Sequence, residues 1–170
     1  MSIRFISYSS SKVKQEKRAL LNVSSFSDDF KRARREEALL SQALSYAQNG
    51  STKLYAVKNS KLKGILGFIA LSASEILIDD IKKPVVLIDF LFVNKQYRSK
   101  KYKELGNIKV SQILLEYAIS KFYEVRECIG VNYLVLYPEK GRKNKNLVSF
   151  YKSMGFEYAT KKHEWMYVKL

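Results

Sequence analysis

The run Val85-Val86-Leu87-Ile88-Asp89-Phe90-Leu91-Phe92-Val93 limits the fold more than any other stretch of this chain. A strand with one wet face alternates apolar and polar residues, whereas here only Asp89 interrupts an apolar series. Such continuity marks a strand buried on both faces, near the centre of a sheet. A sheet of that kind needs helices to cover it, and the flanking sequence supplies them. Residues 28–48 read as a helix with Ala38, Leu39, Ala43, Leu44 and Ala47 on its apolar face. Lys31, Arg32, Arg34 and Arg35 lie on the other face, and Asn49-Gly50 is the stop signal. Residues 108–127 repeat the helical spacing with Val110, Ile113, Leu114, Tyr117, Ala118, Phe122 and Val125.

The other elements are shorter. Residues 3–8 alternate weakly and read as a first strand, and residues 12–21 as a helix. Residues 53–58 and 64–72 read as a pair of strands turned at Asn59-Ser60. Residues 74–84, acidic and then basic, read as a strand end plus a loop. Residues 132–137 form a strand stopped by Pro138, residues 144–154 a helix closed by Gly155, and residues 156–170 a last strand or hairpin. This order predicts an α/β fold with a mixed sheet.

Length and composition bound the chemistry. The 170 residues fit one domain, 1–170, with one core. A single cysteine, Cys128, excludes an internal disulfide, and one histidine, His163, leaves no Cys/His zinc site, so no metal is expected. Cys128 falls near the end of an apolar-periodic stretch and is expected to fill core; His163 is expected at the surface or core edge of the last strand. The N-terminus lacks the apolar run of a signal peptide or a membrane span, so a cytoplasmic protein with no membrane partner is expected. Thirty-one Lys and Arg against 16 Asp and Glu give a net charge of +15. That charge suits a polyanionic partner, whether nucleic acid or a phosphorylated cofactor; a purely solubilising role stays open beside it.

Several segments resemble the GNAT acetyltransferase superfamily, from about Leu54 onward. Leu54-Tyr55-Ala56-Val57 followed by Gly64-Ile65-Leu66-Gly67-Phe68 is similar to the family's hairpin, and Leu87 to Val93 with Asn94 to Arg98 to its central strand and cofactor loop. Ile113-Leu114-Leu115-Glu116-Tyr117-Ala118 resembles the helix that follows, and Tyr133 to Tyr137 the fifth strand. Asn144, Tyr151 and Gly155-Phe156 reproduce the N-x6-Y-x3-G-F ending, the most specific match because spacing and residue types agree together.

The resemblance implies a mostly antiparallel sheet whose fourth and fifth strands splay apart, and an enzyme moving an acetyl group from acetyl-CoA to a primary amine. Such chemistry needs a rigidly held thioester, a polarised carbonyl and a proton donor for the departing thiolate. By carry-over, backbone groups of Leu91, Phe92 and Val93 pair with pantetheine, and Asn144 bonds to the same arm. Val110 and Ser111, in the first turn of the following helix, face the pyrophosphate. Tyr151 is the implied general acid. Asp89 is the first candidate for a base on the incoming ammonium, ahead of Glu75, Asp80 and His163. Plainer roles exist for each: Tyr151 as a core aromatic, Asn144 as a helix cap, Asp89 as an exposed strand residue.

One part of the family pattern is missing. The pyrophosphate loop usually reads R/Q-x-x-G-x-G/A, because glycine lets backbone N–H groups approach phosphate closely. Here Arg98 to Ile113 reads RSKKYKELGNIKVSQI, longer than usual, with Lys109 and Ser111 at the two glycine positions. One account is an extended loop turned at Gly106-Asn107, with Arg98, Lys100, Lys101 and Lys109 neutralising the phosphates. The other is that the basic loop serves a different polyanion, giving a GNAT-fold nucleic-acid-binding protein in which Tyr97 and Tyr102 stack on bases. The helix exit Arg126 to Val131 and the FYKSMGF ending also resemble the bacterial toxin branch that acetylates aminoacyl-tRNA, which makes tRNA a candidate acceptor and a homodimer an open alternative. That branch's F-x-C-G signature is absent; Phe26-Ser27-Asp28-Asp29 stands nearest.

Overall fold

The computed structural model describes residues 3–160 and 163–169. Its elements in chain order are β1 (Ile3–Tyr8), α1 (Ser10–Asn22), α2 (Phe30–Gln48), β2 (Lys53–Asn59), β3 (Gly67–Ile78) and β4 (Ile81–Val93). There follow β5 (Lys101–Tyr102), β6 (Ile108–Lys109), α3 (Val110–Cys128), β7 (Tyr133–Leu136), α4 (Lys145–Ser153), β8 (Glu157–Tyr158) and β9 (Met166–Lys169). The main sheet has the order β1-β2-β3-β4-β7-β9-β8. Its β4–β7 pair is parallel, and β1–β2, β2–β3, β7–β9 and β8–β9 are antiparallel. The predicted strand or hairpin over 156–170 is β8 and β9; residues 161, 162 and 170 lie outside the described residues.

Where a loop was expected over 74–84, the chain makes a long hairpin instead. Asp79 and Asp80 take left-handed φ values of 51° and 61°, which short polar side chains tolerate, and they close a two-residue turn of the kind that suits strand twist. Pro84 sits inside β4. It can do so because the β7 register begins only at Val86, so its missing N–H breaks no bond to β7.

The chain falls into two units, Met1–Leu71 with Asp89–Tyr117 and Ser72–Ile88 with Ala118–Leu170. In the first, β1 and β2 run in register from Ile3↔Asn59 to Tyr8↔Leu54. Leu54, Ala56, Phe68, Ala70 and Phe92 pack with Val13 and Leu20 of α1 and Leu40, Leu44 and Ala47 of α2. Asp29 caps α2 by accepting the Arg32 amide at 2.7 Å, which fixes its start at Phe30. The buried stripe of α2 is Leu40, Ala43, Leu44 and Ala47; Ala38 and Leu39, expected on it, are exposed, Leu39 by 41%, because both lie outside that i, i+3, i+4, i+7 arc.

In the second unit, Ile76, Ile78, Val85 and Val135 form a small core flanked by Leu87, Tyr133, Trp165 and Tyr167. β4 and β7 pair over three residues only, Val86↔Leu134 to Ile88↔Leu136. Cys128 is exposed, correcting the expectation of core filler. The last turn of α3 carries it past the face defined by Ala118 and Phe122, both fully buried.

Gly67 marks where two backbones approach most closely. A Cβ there would stand 2.4 Å from the Phe92 carbonyl oxygen and 3.3 Å from the Val93 Cα, and neither is a flexible side chain that can move aside. Gly67→Ala should therefore lower unfolding free energy by about 1–3 kcal/mol. Urea denaturation reads this directly, and an unchanged midpoint would refute the close approach.

Candidate active site

The end of β4 is held by a side chain that sequence reasoning did not single out. Asn94 is 1% exposed. Its Nδ2 donates to the Ile65 carbonyl at 2.5 Å, and its Oδ1 accepts the Ser25 amide at 2.8 Å. Its own amide donates to Leu66. A buried amide with both ends satisfied is a rigid clamp. It fixes the strand end that carries Leu91, Phe92 and Val93.

Arg98 follows. Its Nε donates to the Val93 carbonyl at 2.7 Å, and its two terminal nitrogens take the Glu36 carboxylate in a fork at 2.9 and 3.0 Å. The guanidinium also lies 5.2 Å from the Phe92 ring centre. Glu36 accepts from the Ser27 amide and Arg32 as well. Burial alone would raise its carboxyl, but these donors together hold it below the ordinary range. Arg98 is thus already charge-paired and works as a strut between α2 and β4. Glu36 carried no signal in sequence beyond being an acid inside a basic helix turn.

Beyond Arg98 the long loop folds back on itself. Gly106 and Asn107 both have left-handed φ, 82° and 61°, and the Asn107 amide closes onto the Tyr102 carbonyl at 2.8 Å. This is the tight turn expected there. It lets β5 and β6 pair as a miniature hairpin, with Lys101 directly opposite Lys109. The helix α3 consequently starts at Val110, not Ile108, and its first turn holds Val110 and Ser111 with no acidic residue. Lys100 and Lys101 are exposed, and Lys109 is half-buried. Tyr97 and Tyr102 are engaged locally: Tyr97 is 7% exposed and donates to the Lys63 carbonyl, and Tyr102 donates to Gln96. Tyr97 therefore offers no free face for stacking.

Asp89 is exposed on β4, and its Oδ2 lies 2.7 Å from the Thr52 hydroxyl. That hydroxyl is also 3.0 Å from the Leu71 carbonyl, so its one proton serves two acceptors and Asp89 is fixed while staying open to solvent. Glu75 is exposed on β3, and Asp80 is a turn residue. His163 is exposed ahead of β9, where its carbonyl accepts from Arg142.

In the second unit Asn144 and Tyr151 lie at the start and the last turn of α4. Asn144 caps the helix, accepting the Leu147 amide at 3.3 Å; among the described residues its Nδ2 has no hydrogen-bond partner. Tyr151 is 7% exposed and sits between Phe150 and Phe156, with ring centres at 5.4 and 6.1 Å. Burial first, then the charge of Glu139, pushes its pKa from 10.0 up to about 12. Glu164, just before β9, accepts from the Tyr137 hydroxyl at 2.5 Å and the Arg142 amide at 3.1 Å. Arg142 in turn donates to the carbonyls of Thr160 and His163. This node ties the turn leading into α4 to the segment before β9, and nothing in the residue spacing announced it.

Solved structures of the same fold exist. The toxin AtaT, as a tyrosine-to-phenylalanine mutant bound to the C-terminus of the antitoxin AtaR and acetyl-CoA, matches at a TM-score of 0.67 and 12% identity over 99% of this chain and 94% of that one. AtaT complexed with acetyl-methionyl-tRNAfMet gives 0.69 at 12% identity, over 99% and 95%. A tyrosine-to-phenylalanine mutant of KacT gives 0.70 at 12% identity, over 99% and 95%. No protein-family model and no curated protein sequence matches the chain. The likeness shows the fold, the mostly antiparallel α/β sheet of GNAT type that the resemblance implied. No helix among the described residues is long and apolar enough to cross a membrane.

Gly141 sets a test of the node before α4. Its φ is +54°, and a Cβ would fall within 2.1–2.3 Å of the Glu164 carboxyl group. Gly141→Ala should cost about 1–3 kcal/mol of stability. Adding Glu164→Ala should recover part of that loss, because the carboxylate is the obstacle. Additive losses in the double-mutant cycle would show that Glu164 does not confine this turn.

Proposed function

We propose that this chain, as one GNAT-type domain over residues 1–170, is an acetyl-CoA-dependent N-acetyltransferase whose acceptor is the amino group of an aminoacyl-tRNA. The observation that carries the reading is Tyr151. The N-x6-Y-x3-G-F ending becomes one capped helix with Tyr151 buried and protonated near its end, within a fold that matches AtaT along nearly its whole length. Those neighbours were solved with acetyl-CoA and an antitoxin segment and with acetyl-methionyl-tRNA, which supports the donor and the acceptor. They also support a toxin role with a protein antitoxin as partner. The charge of +15 supports a polyanionic acceptor, and both substrates are at hand in the cytoplasm.

Each residue then has a task. Backbone groups of Leu91, Phe92 and Val93 align the pantetheine arm, and the Asn144 Nδ2 donates to it. The amides of Val110 and Ser111 meet the pyrophosphate at the start of α3. Lys100, Lys101 and Lys109 supply the positive charge that a glycine-rich loop supplies through backbone dipoles, Gly106 and Asn107 make the turn that brings Lys101 and Lys109 together, and Arg98 holds the loop to Glu36. The register pair Lys101↔Lys109 supports this, since like charges directly opposite are unfavourable without an anion. Asp89 takes the proton of the incoming ammonium, and Tyr151 donates a hydrogen bond to the departing sulfur.

Two measurements test the reading. Acetyl-CoA should stabilise the purified protein saturably at micromolar concentration, and labelled acetyl should appear on aminoacyl-tRNA at a rate falling steeply with salt. No stabilisation at millimolar acetyl-CoA would reject the enzyme and favour a nucleic-acid-binding protein. A salt-insensitive rate on a small amine would reject tRNA alone. Tyr151→Phe should lower turnover about 10- to 100-fold with acetyl-CoA affinity nearly unchanged. With its pKa raised to about 12, Tyr151 keeps its proton throughout the neutral and mildly alkaline range. Its contribution to the rate should therefore persist to pH 10; a loss near pH 8 that vanishes in Tyr151→Phe would contradict this.

A further inference from the structure

Well away in sequence from the cofactor loop, Arg4, Lys58, Asn59 and Ser60 line a small open pocket of about 280 Å³. The antiparallel register places Arg4 directly opposite Lys58. The two positions lie beyond the buried end of the face on which Ile6, Tyr8, Leu54 and Ala56 meet the core, with Arg4 exposed and Lys58 half-buried, and an oppositely charged pair would be the favourable choice there. Two cations stand in its place. Like charges facing each other across a strand pair are destabilising, and among the described residues neither the Arg4 nor the Lys58 side chain has an ion pair or hydrogen bond to offset it.

The pocket wall is firm. Asn59 is 7% exposed; its Oδ1 accepts the Lys61 amide at 2.8 Å and its Nδ2 donates to the Glu104 carbonyl at 3.2 Å. The pocket offers a guanidinium fork, an ammonium and the Ser60 hydroxyl, and no carboxylate lines it. Such a donor set fits a tetrahedral oxyanion with several acceptor oxygens. The volume is below that of a cleft for a drug-sized molecule and admits a phosphate group with part of its ester substituents.

We infer that this pocket binds phosphate, and that its ligand is a backbone phosphodiester of the RNA acceptor. The inference rests on the tRNA reading for its source but not for its chemistry. Inorganic phosphate, compared with chloride at matched ionic strength, should raise the melting temperature of the wild-type protein. Arg4→Gln/Lys58→Gln should lose that shift while melting, without phosphate, no lower than wild type, because a repulsion has been removed. The same double variant should bind tRNA about tenfold more weakly at physiological salt. Its slope of log K against log salt should be shallower by about 0.7–1, as for one lost phosphate contact, with acetyl-CoA affinity unchanged. Arg4→Lys, which keeps charge but not the fork, should fall between. Equal phosphate shifts in both proteins, or none in either, would overturn the pocket. A loss of acetyl-CoA affinity with tRNA binding intact would assign the phosphate to the cofactor and overturn the RNA source. Acetyl-CoA binding by the wild type is scored separately, so failure of the enzyme reading is distinguishable from failure of this one.

Discussion

β4 runs on for Asp89 to Val93 after its last β7 partner at Ile88, and a strand that loses a neighbour keeps its shape only if something else fixes its backbone. Three devices do so here. Gly67 admits the Phe92 carbonyl at a distance no side chain would permit. Asn94 clamps the strand end to Ser25 and Ile65, and Arg98 caps the Val93 carbonyl while forked onto Glu36. Asn94 and Arg98 replace sheet pairing with bonds to other parts of the same unit, and Gly67 leaves room for the strand to lie close. The strand end is therefore rigid without being paired on both sides, which is the property that the proposed alignment of a thioester would require of it.

The same economy explains the loop after it. A glycine-rich loop binds phosphate with backbone dipoles, and its geometry depends on the absence of Cβ atoms. This chain has spent its loop glycine, Gly106, on a turn. The turn pairs β5 with β6 and sets Lys101 against Lys109 immediately before α3. In the proposed reading, charge then stands where close approach would have stood. Lysine ammonium groups are mobile and strongly hydrated, so such a site should depend more on ionic strength than a backbone nest does.

Much of this architecture was legible in the residues, for identifiable reasons. The apolar run around Leu87 and the helical spacing from Val110 to Phe122 report burial, which periodicity encodes directly. The spacing from Asn144 to Phe156 reports one helix with a cap and a stop. What escaped was of another kind. The Asp79-Asp80 hairpin hid behind Pro84, because a proline inside a strand is tolerated only where a neighbour is missing, and that is a fact of three dimensions. Glu36 and Arg98 lie 62 residues apart in sequence, so nothing local pairs them. Cys128 was misplaced because helical periodicity says which face a residue shares but not where the core ends.

The environment of Tyr151 also narrows what it can do in the proposed reaction. An ordinary thiol has a pKa near 8.5 and Tyr151 stands at about 12, so complete transfer of its proton to a thiolate is uphill by roughly 5 kcal/mol. A donor held this far above the operating pH is poorly matched to act as a full acid. It remains well suited to give a hydrogen bond to charge growing on sulfur in a dry setting, where such bonds are strongest. In the proposed reaction the acceptor nitrogen gives up two protons. The first leaves its ammonium before attack and passes to water by way of Asp89, exposed and steadied by Thr52; the second leaves as the amide forms and neutralises the thiolate. In this arrangement the two side chains need not exchange a proton with each other, and Tyr151 contributes by keeping its own.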